Sequence, residues 1–174
     1  MTGAAVSIRS AAIGDLDRLA AVHEAAARAG YRHIFPADAP FPRDEARGDL
    51  RQFLESESVR VFIAEDRNIT VGLVVAGPAP ENGESPVVSG RVAQIHLLHV
   101  LPLRWNGGIG TALHHCAMTA LVADGFATAI LWVLERNERA RRFYEQQGWQ
   151  TDGGRRRERY AIEIDVIRYR RALP

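Results

Sequence analysis

A chain of 174 residues with 47% hydrophobic and 25% charged side chains is long enough for one globular domain and too ordinary in composition for a disordered one. Lys and Arg together number 22 and every one is Arg, which excludes a Walker-type phosphate loop and any Schiff-base or pyridoxal enzyme. A net charge of +1, a single cysteine (Cys116) and no apolar run near ~18 residues argue against a membrane span, a disulfide, a Cys-based zinc site, and general attraction to nucleic acid or acidic lipid.

In chain order, residues 6–10 alternate like a short strand. Asp15 is placed to N-cap a helix whose apolar positions Leu16, Leu19, Ala20, Val22 and Ala26 carry it towards Gly30. The first thirty residues lack the basic-then-apolar order of a secretory signal, so a cytoplasmic protein is expected. Residues 31–42 contain three prolines and read as a loop, and residues 44–55 as a charged helix. The β-branched runs 59–65 and 69–76 flank a hairpin turn at 66–68. Residues 78–86 read as a flexible polar loop, 91–101 as a long strand and 127–134 as another. Between those strands Ile109, Leu113, Cys116, Ala117, Ala120 and Leu121 keep a helical period up to Gly125. A helix over 138–147 and strands over 150–158 and 161–168 complete the order β-α-α-β-β-β-α-β-α-β-β, a mixed α/β fold in one domain spanning residues 1–174.

The join between the strand at 91–101 and the next helix carries the chemistry: Trp105-Asn106-Gly107-Gly108-Ile109-Gly110-Thr111. Three glycines at a helix N-terminus let backbone N–H groups approach an anion, and the helix dipole adds to the attraction, which suits a phosphate or diphosphate. A dinucleotide fingerprint needs Gly or Ala three residues after Gly110, where this chain has Leu113.

The stretch from Gln94 to Trp149 resembles the GNAT superfamily of acyl-CoA-dependent N-acetyltransferases. Residues 105–110 resemble its diphosphate loop, Gln/Arg-x-x-Gly-x-Gly/Ala, after a strand ending Val-x-Pro. Leu131-Trp132-Val133-Leu134-Glu135-Arg136-Asn137, followed by Arg142-Phe143-Tyr144-Glu145-Gln146-Gln147-Gly148-Trp149, resembles the strand and helix that hold the pantetheine arm. The resemblance implies a mostly antiparallel central sheet flanked by helices, acetyl-CoA as cosubstrate with no metal, and direct transfer to a primary amine on a small molecule or peptide. It implies Tyr144 as proton donor to the CoA thiolate. Cofactor contacts are implied for Leu98, His99 and Val100 on the strand, for Trp105, Asn106, Gly107, Gly108, Ile109, Gly110 and Thr111 at the loop, and for Asn137. Asn137 and Tyr144 are seven apart, within about 20° of one helix face and ~10 Å along it, so both can serve one extended ligand.

The pattern departs from the family's at three positions. Trp105 replaces the usual Gln or Arg, Asn106 a frequent Gly, and Gln94 a frequent Glu that acts as general base. An amide takes no proton, which leaves His96, His99, Glu135 or a water as the base. His114, His115 and Cys116 are consecutive on a helix and point three ways, so they do not chelate one metal. The arginines at 139, 141, 142, 155–157 and 159 read first as a solvated face and second as contacts to phosphates or an anionic acceptor. Tyr31-Arg32-His33-Ile34-Phe35-Pro36 lies where this family shapes its acceptor site. A CoA-binding sensor without catalysis, or an acetyltransferase acting on tRNA or a protein N-terminus, are the alternatives; no membrane partner is expected, and a monomer or homodimer is.

Overall fold

The β-branched runs pair and the 3.6-period segments coil much as their patterns require. The computed structural model describes residues 6–80 and 91–174. The strands are β1 (Ser7–Ser10), β2 (Arg60–Asp66), β3 (Ile69–Pro78), β4 (Val92–Val100), β5 (Thr128–Leu134), β6 (Gln150–Arg159) and β7 (Glu163–Ala172); the helices are α1 (Leu16–Tyr31), α2 (Arg43–Glu55), α3 (Ile109–Ala123) and α4 (Glu138–Gln146). The strands form one sheet in the order β1-β2-β3-β4-β5-β7-β6, antiparallel at every junction except β4 with β5.

Each face of the sheet is covered by a helix pair. Leu16, Leu19 and Val22 of α1 and Leu50 of α2 pack on Val61, Ile63, Leu73 and Val75. On the other face Ile109, Leu113, Ala117 and Leu121, one stripe of α3, meet Val71, Val74, Ile95 and Leu131. Burying a side chain such as Leu113 or Leu121, both fully inaccessible, stabilises the fold by about 1.5–3 kcal/mol each. The β2–β3 hairpin turns at Arg67 and Asn68, with φ of 50° and 65°, the left-handed pair that a tight two-residue turn needs.

Several local expectations are corrected. Asp15 does not cap α1 with its side chain, because a 3₁₀ turn at Ile13–Asp15 already places it in helical geometry. Its carboxylate instead accepts from the Ala12 N–H and from both Arg9 Nη atoms, all at 2.9 Å, and Arg9 holds it down to about 2. α1 runs through Gly30 to Tyr31, the first residue of the expected loop. The last strand extends to Ala172, since Tyr169 and Arg171 continue the ladder with β5. The loop expected at 78–86 begins after β3, and its residues from 81 onward lie outside the described ones.

Candidate active site

The parallel junction between β4 and β5 is short. Only Val92, Ala93 and Gln94 pair, with Thr128, Ala129 and Ile130; beyond them the strands separate. On the β3 side the Leu101 N–H donates to the Val71 carbonyl at 2.8 Å, which fixes the alternation along β4. Leu73 and His99 therefore also exchange hydrogen bonds, whereas Leu98 and Val100 turn their main-chain groups into the gap. Across the gap, Glu135 N–H bonds Asp165 of β7 at 2.9 Å, so by the same alternation Trp132 and Leu134 face inward. The gap is thus a slot lined by backbone donors and acceptors. His99, expected as a backbone contact, points its N–H to β3 instead.

A register shift between Val75 and Ala76 makes His96 the extra residue of a β-bulge, which bends β4 where it leaves β5. The Val100 carbonyl at the slot's end accepts from Trp105 Nε1 at 2.7 Å.

The slot leads to the glycine turn. Asn106 and Gly108 have φ of 61° and 79°, and Gly108 caps α3 without any side-chain bond. The helix ladder begins with Ala112 N–H to the Gly108 carbonyl at 3.0 Å. The N–H groups of Ile109, Gly110 and Thr111 lie ahead of it with no intrahelical acceptor. Ile109 buries its side chain in the core, while Asn106, Gly107, Gly108 and Thr111 are exposed. A Cβ at Gly108 would meet nothing within 4 Å among the described residues, so this glycine serves the backbone angle; one at Gly110 would lie 3.6 Å from the Phe143 ring, so that glycine faces α4.

At the start of α4, Asn137 Oδ1 accepts from the Ala140 N–H at 3.2 Å, and its amide nitrogen has no partner among the described residues. It is a helix cap with a donor to spare. Tyr144 is 8% exposed and packs edge-on against Phe143 and Trp149, with centroids at 5.2 and 6.1 Å. Its hydroxyl makes no hydrogen bond among the described residues, and burial pushes its pKa up, so it holds its proton. Tyr31 lies within electrostatic reach of both Tyr144 and Tyr160.

The three side chains left as candidate bases are differently placed. Gln94 Nε2 lies 3.2 Å from His96 Nδ1, and the His96 ring tilts against Phe53 at 5.1 Å. His99 stacks on His23 at 4.6 Å, and burial holds it down to about 3; burial lowers His96 and His23 as well. Glu135 is held by Arg155 at 2.5 Å. Opposite β5, Phe35 meets Tyr31 and Tyr160, both with centroids at 6.1 Å, which links the α1–α2 connection to the β6–β7 turn. His33 Nε2 and the Arg136 carbonyl (3.1 Å) and Arg136 Nη2 and the His33 carbonyl (3.3 Å) tie the same connection to the start of α4. Tyr160 and Arg136 were not singled out from sequence; they meet their partners more than a hundred residues away, and no local pattern marks them.

Three of the four arginines of β6 face carboxylates: Arg155 with Glu135, Arg156 with Glu158, and Arg157 with Asp165. His114 is buried and accepts at Nε2 from Trp149 Nε1 at 2.9 Å, while His115 is exposed and Cys116 half-buried, so the three diverge. Among the described residues no three His, Cys, Asp or Glu side chains gather as a metal site, and no helix is long and apolar enough to cross a membrane.

A family model described as "Acetyltransferase (GNAT) family" matches residues 21–149, which hold the slot, the glycine turn and α4. An uncharacterized N-acetyltransferase of Bacillus subtilis, YuaI, is 28% identical over 134 residues, 76% of this chain and 73% of the relative. Among solved structures, the ribosomal-protein-S18-alanine N-acetyltransferase of Escherichia coli shares the fold with a TM-score of 0.71 at 19% identity, covering 97% of this chain and 94% of that one. The PaiA N-acetyltransferase of Thermoplasma acidophilum in complex with coenzyme A does so at 0.67 and 15%, covering 94% and 98%. With the family's model spanning the elements that build the slot, the chain belongs to the GNAT acetyltransferase family.

Proposed function

We propose that the protein transfers the acetyl group of acetyl-CoA directly to a primary amine of a small molecule or peptide. One observation carries the reading: the backbone-lined slot between β4 and β5 runs into the uncapped N-terminus of α3. An extended thioester with a diphosphate at its far end matches both parts. The exposed N–H groups of the turn and first helical residues would take the diphosphate, and main-chain groups of Leu98 and Val100 with the spare Asn137 amide would take the pantetheine arm.

In the transfer, the amine nitrogen bonds to the thioester carbon, the carbon–sulfur bond breaks, and the amine proton leaves to a base or water. An N–H of the slot, at Leu98 or Val100, would stabilise the developing oxyanion. Tyr144, buried and fully protonated, would give its proton to the departing sulfur. The amide of Gln94 where the family often has a carboxylate is the observation that favours the second reading, a CoA-binding sensor. Incubation with acetyl-CoA and a panel of amines, read by free thiol and by the mass of the acceptor, separates the two. Thiol release that needs both protein and amine supports the enzyme. Binding of CoA without turnover on any amine supports the sensor, and a melting temperature raised equally by NAD or ATP removes both.

A further inference from the structure

Position 105 of the glycine turn carries Trp, and its one donor is spent on the Val100 carbonyl. Trp105 therefore gives no side-chain donor to a bound diphosphate. A guanidinium arrives from another element. Arg139, in the first turn of α4, lies over the Trp105 ring with its Cζ 3.5 Å from the centroid. One helical turn further on, the Phe143 ring packs beside Gly110, so this face of α4 runs along the start of α3.

The neighbouring arginines are all engaged. Arg104 pairs with Asp66, Arg136 donates to the His33 carbonyl, Arg141 to Tyr169 and the Glu135 carbonyl, and Arg142 to Glu138. Among the described residues Arg139 has no hydrogen bond or carboxylate, only the indole face. It is also a cation in the first turn of a helix, at the dipole's positive end, where a positive charge is disfavoured. Stacking on Trp105 removes water from one side of it as well. A bound anion between Arg139 and the turn would give the guanidinium the partner it lacks and offset the unfavourable dipole.

We infer that Arg139, held flat by Trp105, supplies the diphosphate of the acyl-CoA with the cationic contact that position 105 does not. The inference rests on the acetyl-CoA reading above. It is tested by calorimetry on the full chain with CoA, 3′-dephospho-CoA and acetyl-pantetheine as probes, comparing wild type, Arg139→Gln and Arg139→Lys. Arg139→Gln is expected to weaken CoA and dephospho-CoA by the same factor, roughly 10- to 100-fold, as befits a lost charge-assisted hydrogen bond. Acetyl-pantetheine, which has no diphosphate, is expected to bind all three proteins equally. Without ligand, Arg139→Gln is expected to melt close to wild type, because the lost stack on Trp105 offsets the removal of a charge disfavoured by the dipole; Arg139→Lys, with charge but no planar stack, is expected between the two in CoA affinity. Unchanged CoA affinity in Arg139→Gln overturns the inference alone. So does a loss confined to CoA and absent with dephospho-CoA, which would move the contact to the 3′-phosphate. A wild-type protein that ignores CoA overturns the acetyl-CoA reading, and this inference with it.

Discussion

Lowering the pH from 7 to 5 is expected to destabilise the fold steeply, well before carboxylates protonate. Trp149 Nε1 donates to His114 Nε2 at 2.9 Å in the core, so that nitrogen must keep its lone pair. Burial, with Arg171 and His115 nearby, holds His114 down to about 4, and burial beside His23 holds His99 down to about 3. In the unfolded chain both return to ~6.5. Between those values the unfolded state binds more protons than the folded one, so stability is full above the unfolded value and falls as the pH drops. Each histidine contributes a loss of about 2 kcal/mol between pH 7 and pH 5, together about 4 kcal/mol. That is a large part of the ~5–15 kcal/mol that holds an ordinary domain together. Urea unfolding at pH 7, 6 and 5, followed by tryptophan fluorescence, measures the loss. His114→Gln keeps an acceptor for Trp149 and cannot titrate, so its loss over the same interval is expected to be about 2 kcal/mol smaller. Equal unfolding free energies at pH 7 and pH 5, or the same loss in His114→Gln, would refute the reasoning.

Gly108→Ala meets no atom but forces a Cβ into a left-handed backbone, so it is expected to lower stability by about 1–2 kcal/mol and to weaken CoA binding; unchanged values in chemical melts and calorimetry would count against the turn as the diphosphate site. Tyr144→Phe keeps the ring among Phe143 and Trp149 and breaks no hydrogen bond among the described residues, so stability should change by less than about 0.5 kcal/mol. Its single-turnover acetyl transfer is expected to slow by ~10²–10⁴, with kcat and kcat/KM falling together, and a wild-type rate would leave Tyr144 as core alone.

What the sequence revealed follows the range of the forces that act. The β4–α3 join needs glycine where φ is positive, a one-residue requirement, and Gly108 shows it. The faces of α3 follow from a period, so Ile109, Leu113, Ala117 and Leu121 were readable as core and the divergence of His114, His115 and Cys116 as geometry. Asp15 departs from the cap its position suggests because residue type alone cannot tell a cap from the end of a preceding 3₁₀ turn. The stack of Arg139 on Trp105, the His114–Trp149 bond and the Phe35–Tyr160 contact join elements far apart in the chain. Such pairs depend on which strands neighbour each other, and no single stretch encodes that.

The exit of β4 from its partner divides the strand's duties between two chemistries. What faces the slot at Leu98 and Val100 is backbone, identical whatever side chain is attached. The side chains of Leu97 and His99 lie instead under the first helix pair, beside His23 and the α1 core. A mutation there can reshape the opposite wall, towards the α1–α2 connection, without removing a single slot donor. If the slot takes the acyl donor, its recognition is thereby insulated from drift in these side chains. On the acetyl-CoA reading, a chain built this way could change its acceptor through ordinary point substitutions while continuing to draw on the same acyl carrier.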